Sequence, residues 1–288
     1  MKTIFDGLDQ DIRKNLRLQL SVYWTYASNA IEGSSLTIGE TDFVLREGIT
    51  LGGKPLKEYK DAEGHFHAIK QLQELFSVPA LTEEHLFALH KLIVPENIVD
   101  IYKPRGAWKT EFNGTYIYDD SGKSTWISYP APVEIPELMK RWLRLYNESD
   151  LPTDQDSAVQ LYSRLHTLFV AIHPFFDGNG RMARLVANIP LLKAGFPPIA
   201  IAPEKRHEYI SILFKSTHDP AILQDFSKYQ SPELELFLKE CWQNIYNMVE
   251  DAKKCQQERN RKRCSGPVTI GSWHALHKIT TSHWPNTW

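Results

Sequence analysis

Residues 173–184 of the chain read HPFFDGNGRMAR, in which a glycine-rich turn precedes a helical pattern. Glycine is free of the Cβ constraint, so Gly178 and Gly180 let the backbone aim several N–H groups into one concavity. The N-terminus of the following helix adds partial positive charge, and the turn therefore predicts an anion site suited to phosphate. Arg181 and Arg184, three residues apart, add charges that can clamp a polyphosphate.

Two further side chains add reactive chemistry to this segment. Asp177, at the mouth of the turn, offers a hard oxygen ligand of the kind that Mg²⁺ prefers. His173, at the end of the preceding helical pattern, carries imidazole, the usual general base near neutral pH. Taken singly, such residues are more often a helix cap, a plain turn and surface charges. Their coincidence within a dozen residues favours a phosphoryl- or nucleotidyl-transfer site.

Helical periodicity dominates the chain on both sides of this segment. Apolar residues from Leu16 to Ile31 recur every three or four positions, and Gly33 can end the helix that they predict. Further helices are predicted over residues 57–76, 82–93, 134–147, 156–172, 180–194, 204–217 and 232–252. Strand-forming residues at 109–118 and 124–129, with turn residues between them, predict one β-hairpin.

Composition excludes several classes of protein. The 288 residues are 42% hydrophobic and 24% charged, which is typical of a globular chain. The formal net charge of -2 gives no global basic surface for nucleic acid, and no apolar run is long enough for a membrane span. Three cysteines outside any CxxC pair, and an N-terminus with acids where a signal peptide needs apolar residues, predict a cytoplasmic protein.

The segment 173–184 matches the signature of the Fic family, HPFxxGNGRxxR, at every specified position, and the chain resembles that family over about residues 10–250. The resemblance implies an all-α fold, a helical bundle with one inserted β-hairpin called the flap (about 109–129). It implies a Fic domain over 1–254, including an N-terminal inhibitory helix (about 10–33). Residues 255–288 are then a C-terminal extension of unknown role.

Members of this family are mostly protein adenylyltransferases, so the resemblance implies transfer of AMP from ATP to Ser, Thr or Tyr hydroxyls of target proteins. By motif position, His173 is the base and Asp177 holds Mg²⁺. The turn Gly178, Asn179 and Gly180 cradles the phosphates. Arg181 assists the β-phosphate and Arg184 holds the γ-phosphate.

The run SNAIEG at residues 28–33 resembles the family's inhibitory motif, with Ser28, Glu32 and Gly33 at the specified positions. Taken without the resemblance, Glu32 is an exposed residue at a helix end. With it, Glu32 pairs with Arg184 and withholds that arginine from the γ-phosphate. ATP then binds only in a pose unsuited to in-line attack.

The resemblance also implies how the two substrates bind. A target segment would add to the flap as an extra strand and bring its hydroxyl to His173. The adenine pocket of relatives corresponds to a stretch with Tyr209 as its aromatic residue and Thr217 near a position that is often Asn.

Several alternatives remain at this point. The same site could remove AMP from a modified protein or transfer another phosphate-containing group. A third hypothesis is a non-catalytic regulatory protein that only binds ATP, although such a protein has no need of a base. Self-modification and a homodimer are both compatible with the sequence.

Overall fold

This computed structural model describes residues 3–50, 52–95, 103–118, 124–217 and 220–264. The α-helices are α1 (Gln10–Ile31), α2 (Ile38–Glu47), α3 (Leu56–Gln71), α4 (Glu83–Ile93), α5 (Ile135–Glu148), α6 (Gln155–Ile172), α7 (Asn179–Val186), α8 (Ile189–Lys193), α9 (Arg206–Thr217) and α10 (Pro232–Cys264). Strands β1 (Gly114–Tyr118) and β2 (Ser124–Ser128) form the single hairpin of this part of the chain. The predicted all-α fold with one inserted hairpin is confirmed.

Helix α6 runs through the centre of the molecule and delivers the signature segment. It is packed by α5, α7, α9 and α10, and every residue from Leu165 to Ile172 is buried. Its first turn is capped by the Asp154 carboxylate, which accepts the Ser157 N–H at 2.8 Å. Because this helix end is enclosed on several sides, the residue that follows it is held in a fixed position.

Helix α1 packs against α2, α3, α7 and α10. Its buried face contains the apolar residues that the periodicity predicted, including Leu16, Leu20, Tyr23 and Ile31. The last turn of α1 therefore lies close to α7, although the two helices are far apart in sequence.

The hairpin is antiparallel, with Gly114 opposite Ser128 and Tyr116 opposite Trp126. The rings of Tyr116 and Trp126 pack edge to face at 4.8 Å, and both are about half exposed. The first strand begins at Gly114 rather than near residue 109. The predicted turn at 119–123 lies outside the described residues.

Three differences from the predicted helices have physical causes. Helix α2 was missed, although Thr37 and Glu40 form the capping box that starts it. The predicted helix over 180–194 is two helices, because Pro190 cannot donate a hydrogen bond and Asn188 turns its side chain to Ile199. Helix α10 continues to Cys264, and its end contacts the start of α1, where Arg259 pairs with Asp9 and Asp11 at 3.0 and 2.6 Å.

The predicted extension 255–288 is thus helical over its first ten residues, and 265–288 lie outside the described part. Among the described helices we find none that combines the length and the apolar character needed to cross a bilayer.

Candidate active site

His173 caps the C-terminus of α6 in a left-handed conformation, with φ 51° and ψ 58°. It is the one residue other than glycine with positive φ in the described ranges, and such strain clusters at functional sites. The ring Nδ1 lies 3.3 Å from the carbonyl oxygen of Val170, which can only accept a hydrogen bond. Nδ1 therefore carries the proton, and the lone pair of the neutral imidazole is on Nε2.

The environment of the His173 ring keeps it neutral. The ring of Tyr129 stacks on it at 3.6 Å with an interplanar angle of 4°. Burial lowers the pKa of His173 to about 3, and the nearby Lys109 cation acts in the same direction. An imidazole with this pKa is unprotonated at neutral pH, which is the state a general base requires.

The turn after His173 is held by its own side chains. Asn179 accepts the Phe175 N–H at 2.9 Å and donates to the Phe175 carbonyl at 2.8 Å. Both polar ends of the Asn179 amide are thus engaged within the turn, so its side chain shapes the cradle and its backbone lines it. Phe175 itself is fully buried, and Gly178 has a φ of 77° that favours glycine.

Asp177 is exposed at the mouth of the turn, as predicted. Its Oδ1 accepts the Gly178 N–H at 2.6 Å, which leaves the second carboxylate oxygen for another partner. The part of the chain that the structure describes contains no group of three acidic, His or Cys side chains that could hold a metal alone. A single carboxylate suits Mg²⁺ that is shared with substrate phosphates, because this ion keeps most of its other ligands as water and phosphate.

Glu32 lies over the first turn of α7, where the sequence predicted an anion. Its Oε1 accepts a hydrogen bond from Arg184 Nη2 at 2.7 Å, and a Cβ on Gly180 would be only 2.5 Å from that oxygen. Only glycine therefore allows the carboxylate to approach the helix start this closely. The contact joins the last turn of α1 to α7.

Arg184 is deeply buried, at 3% exposure, and is held by α1. Its Nη2 donates to the Ser28 carbonyl at 2.9 Å and its Nε to the Ser28 hydroxyl at 3.1 Å. Burial alone would lower the pKa of Arg184, but the Glu32 carboxylate favours the charged guanidinium and raises that pKa above its usual value. Gly33 follows with a φ of 96°, a conformation that ends the helix and that a side chain would strain.

Arg181 is engaged by groups of the protein itself. Its Nη1 lies 3.0 Å from Asp61 Oδ1 on α3 and donates to the Ile93 carbonyl of α4 at 3.1 Å. In this structure Arg181 ties α7 to two other helices. Its contact with the β-phosphate stays a prediction.

Tyr209 lies inside the fold, whereas the adenine contact expected near Thr217 stays a prediction. Tyr209 is 1% exposed, with its ring between those of His166 and Phe237 and its hydroxyl 2.8 Å from His166 Nε2. Stacking on adenine needs an accessible ring face, so this position corrects the assignment of Tyr209. The Thr217 hydroxyl donates back to the Leu213 carbonyl at 2.9 Å within α9.

Four residues around the turn were missed by the sequence reasoning. His90 donates from Nε2 to the Asp177 carbonyl at 3.0 Å, accepts the Gly106 N–H at 2.8 Å, and stacks on Phe175. Lys109, Asn113 and Tyr129 pack against the turn from the base of the hairpin. The only available signal was that 109 and 129 flank the predicted hairpin, and periodicity does not show which side chains turn inward.

Comparison with known proteins shows which family this chain resembles. The family described as "Fic/DOC family" matches residues 80–191. Protein adenylyltransferase fic-1 of Caenorhabditis briggsae is 29% identical over 209 residues, 70% of this chain and 38% of that protein. Protein adenylyltransferase Fic of Nematostella vectensis is 27% identical over 197 residues, 67% of this chain and 42% of that protein. The chain thus spans about two fifths of the length of these curated relatives.

Two solved structures share the fold. A Fic-domain-containing signalling protein from Bacteroides thetaiotaomicron is 25% identical with a TM-score of 0.72, over 88% of this chain and 93% of that one. Fic-1 from C. elegans is 24% identical with a TM-score of 0.66, over 87% of this chain and 69% of that one, and it supports the fold alone. The chain therefore has the Fic fold, and its residues 80–191 match the model of the Fic/DOC family.

Proposed function

We propose that this protein transfers AMP from ATP to a hydroxyl group of a target protein, and that Glu32 restrains the reaction. The observation that carries the proposal is the Glu32 carboxylate seated between Gly180 and Arg184, at the helix start where a phosphate would bind. Because the Glu32 carboxylate is an anion, its position beside the start of α7 supports the hypothesis that this helix end binds phosphate. The names of the curated relatives support protein adenylylation as the reaction type.

His173 would take the proton in this reaction. Its Nδ1–H is used by the Val170 carbonyl, so the free Nε2 lone pair accepts the proton of the incoming Ser, Thr or Tyr hydroxyl. The hydroxyl oxygen bonds to the α-phosphorus while the bond from that phosphorus to the bridging oxygen breaks. Pyrophosphate leaves, and the product is a phosphodiester between AMP and the target.

The turn and α7 would bind the triphosphate. The backbone N–H groups of Asn179 and Gly180 and the positive end of α7 would face the developing charge, which favours the transition state without reorganisation. Asp177 would hold Mg²⁺, which neutralises phosphate charge when bound. Arg184 would hold the γ-phosphate once Glu32 has moved away.

The hairpin would dock the target segment. In the described part of the chain its sheet consists of β1 and β2 alone, so each strand keeps one unpaired edge. The exposed pair of Tyr116 and Trp126 adds apolar surface beside these edges. Main-chain pairing at such an edge tolerates many sequences, so the target would be selected mainly by an extended segment with a hydroxyl in register.

The position of Glu32 supports the proposed autoinhibition. While its carboxylate neutralises Arg184, the γ-phosphate meets a negative charge where it needs a positive one. We therefore expect Glu32→Gly to raise AMP transfer about tenfold or more, within the range usual for coupling between two sites. The measurement is incorporation of label from α-labelled ATP into protein, including the enzyme itself.

The controls separate the alternative functions. AMP transfer retains the α label and loses the γ label, phosphoryl transfer retains the γ label, and a pure binder retains neither. His173→Ala in the Glu32→Gly background should abolish incorporation. Glu47→Gly is the matched control, because Glu47 is also an exposed acid followed by a helix-ending glycine, on α2. Equal activity of the two glycine variants would exclude autoinhibition by Glu32.

A further inference from the structure

The base of the hairpin is fastened to the segment that carries His173. Lys109 N–H donates to the Pro174 carbonyl at 2.9 Å. Asn113 Nδ2 donates to the carbonyls of Phe175 and Phe176 at 3.1 and 3.3 Å. We call Lys109, Asn113 and Tyr129 the flap base. Its bonds reach Pro174, Phe175 and Phe176, the three residues that follow His173, and so tie the base of the hairpin to the signature turn.

The flap base is also internally connected. Asn113 Oδ1 accepts a hydrogen bond from Lys109 Nζ at 2.6 Å, and the Asn113 carbonyl accepts the Tyr129 N–H at 3.1 Å. Lys109 is only 2% exposed, and its ammonium group lies 5.8 Å from the centre of the Tyr129 ring. Asn113 is therefore the junction between the start of the hairpin, its end and the turn.

Tyr129 extends this junction to the imidazole. Its ring covers one face of the His173 ring in a nearly parallel stack at 3.6 Å. The torsion that rotates an imidazole about its Cβ–Cγ bond is broad and has no sharp preference of its own. The Val170 carbonyl fixes one edge of the ring through Nδ1 at 3.3 Å, which is a long hydrogen bond. A flat partner on the ring face supplies the second restraint.

We infer that Tyr129 is a positioning residue: its ring holds the His173 imidazole in the orientation that aims Nε2 at the incoming hydroxyl. The inference rests on the proposed function for the identity of that hydroxyl. It has one structural consequence for specificity. A target strand paired with the hairpin is placed in register with Tyr129, so the element that docks the target also orients the base.

The pKa of His173 can report whether the Tyr129 ring is in place, because that pKa depends on the nearby charges and on exposure to water. Lys109 and Asp177 are the charged groups that act on His173, with opposite effects on its pKa, and the Tyr129 ring excludes water from one face. Removing that ring admits water. The pKa of His173 should then rise toward the ordinary histidine value of about 6.5.

The kinetic test compares Tyr129→Leu with Tyr129→Phe, both in the Glu32→Gly background. Leu removes the planar face and Phe keeps it. We expect the leucine variant to lower kcat for AMP transfer about tenfold to a hundredfold, the loss usual for a misplaced reacting group. KM for ATP should stay within about twofold in both variants, and Phe should restore kcat. Phe76→Leu, which removes a partly exposed ring elsewhere, controls for a general loss of packing.

The second readout does not depend on the reaction. Proteins labelled with ¹⁵N-histidine, in which His173 is assigned through His173→Asn, report ring tautomer and pKa by NMR. We expect Nδ1–H alone in the wild type and the Tyr129→Phe variant. Tyr129→Leu should show mixed tautomers and a raised pKa. Asn113→Ala, which keeps the Tyr129 ring and cuts its junction to the turn, should move both readouts in the same direction.

The kinetic and NMR measurements distinguish failure of the positioning role of Tyr129 from failure of the proposed function. If Tyr129→Leu keeps both kcat and the single tautomer, the inference is overturned. If the Glu32→Gly protein transfers no AMP while the NMR spectra change as expected, the proposed function fails and the positioning of His173 by Tyr129 stands. Unfolding of Tyr129→Leu would appear as loss of thermal transition, and the decision would then rest on Asn113→Ala and Tyr129→Phe.

Discussion

Two buried tyrosines, Tyr209 and Tyr162, differ in what their hydroxyl groups contact. The Tyr209 hydroxyl lies 2.8 Å from His166 Nε2 and beside Arg184. The Tyr162 hydroxyl is buried and has no hydrogen-bond partner among the described residues. Removing a paired buried hydroxyl leaves its partner unsatisfied, whereas removing an unpaired one relieves a desolvation cost.

We therefore expect Tyr209→Phe to lower the free energy of unfolding by about 1–3 kcal/mol, and Tyr162→Phe to leave it unchanged or raise it. Because Tyr209 also supports Arg184, its phenylalanine variant should bind ATP more weakly in the Glu32→Gly background. Urea denaturation and calorimetric titration with ATP measure the two effects. A larger loss of stability in Tyr162→Phe would contradict the assignment of these hydroxyl groups.

At the level of single residues, the sequence located the signature side chains but not all of their contacts. The twelve-residue signature predicted where His173 and Asp177 lie, and the family resemblance predicted the pairing of Glu32 with Arg184. Tyr209 was misplaced, although Tyr209, Ile212 and Leu213 follow the spacing of a buried helix face. Tyr209 was assigned to the adenine pocket because its surroundings resemble the family's adenine motif, although the helical spacing of apolar residues indicated a buried position.

Helices α3 and α4 pack so closely that one glycine decides their separation. A Cβ on Gly64 would overlap the carbonyl oxygen of Leu92, which is backbone and cannot swing aside. We expect Gly64→Ala to lower the free energy of unfolding by about 1–3 kcal/mol, the usual cost of overpacking. The readout is the midpoint of urea denaturation.

Gly39 on α2 is the matched control for this prediction. It also lies within a helix, but a Cβ there would meet no atom within 4 Å. Gly39→Ala should therefore raise stability by about 0.5–1 kcal/mol, because alanine loses less backbone entropy on folding. Equal effects of the two alanine substitutions would mean that α3 and α4 can move apart freely.

Elements were predictable where a local signal agreed with the long-range packing. The strong periodicity of α1 and α6 and the turn-flanked strands of the hairpin gave the right types of structure. Helix α2 was overlooked because its ten residues bury only Thr41 and Val44, so its apolar face is weak. Pro190 was an overlooked local signal for the break between α7 and α8, whereas the bonds of Asn188 to Ile199 are tertiary contacts that no local pattern contains.

Three fully buried histidines make the stability of the whole molecule depend on pH. Burial lowers the pKa of His65 and His166 to about 3 and that of His90 to about 4. In the unfolded chain each has a pKa near 6.5, so the unfolded state binds protons first as the pH falls. Stability is therefore lost as the pH falls from about 6.5 to about 4 for His90 and to about 3 for His65 and His166, by up to about 1.4 kcal/mol per pH unit for each histidine.

Urea denaturation between pH 7.5 and 5 tests this dependence above the range in which carboxylates titrate. The midpoint should fall steadily on the acid side of pH 6.5. His65→Asn should reduce the change in unfolding free energy per pH unit by the contribution of one histidine. His67→Asn, which changes a half-exposed histidine on the same helix, should leave that dependence unchanged. A midpoint that stays constant down to pH 5 would show that these imidazoles are protonated within the fold.

Helix α1 contributes buried apolar residues to the core, and Glu32 lies at its C-terminal end. Lifting it away would expose Leu16, Leu20, Tyr23 and Ile31, each of which contributes roughly 1.5–3 kcal/mol through burial. That sum is comparable with the entire stability of an ordinary domain. Detachment of α1 would therefore cost too much free energy to relieve the proposed inhibition by Glu32. Rotation of the Glu32 side chain, or unwinding of the end of α1 alone, would separate the carboxylate from Arg184 while leaving these apolar residues buried.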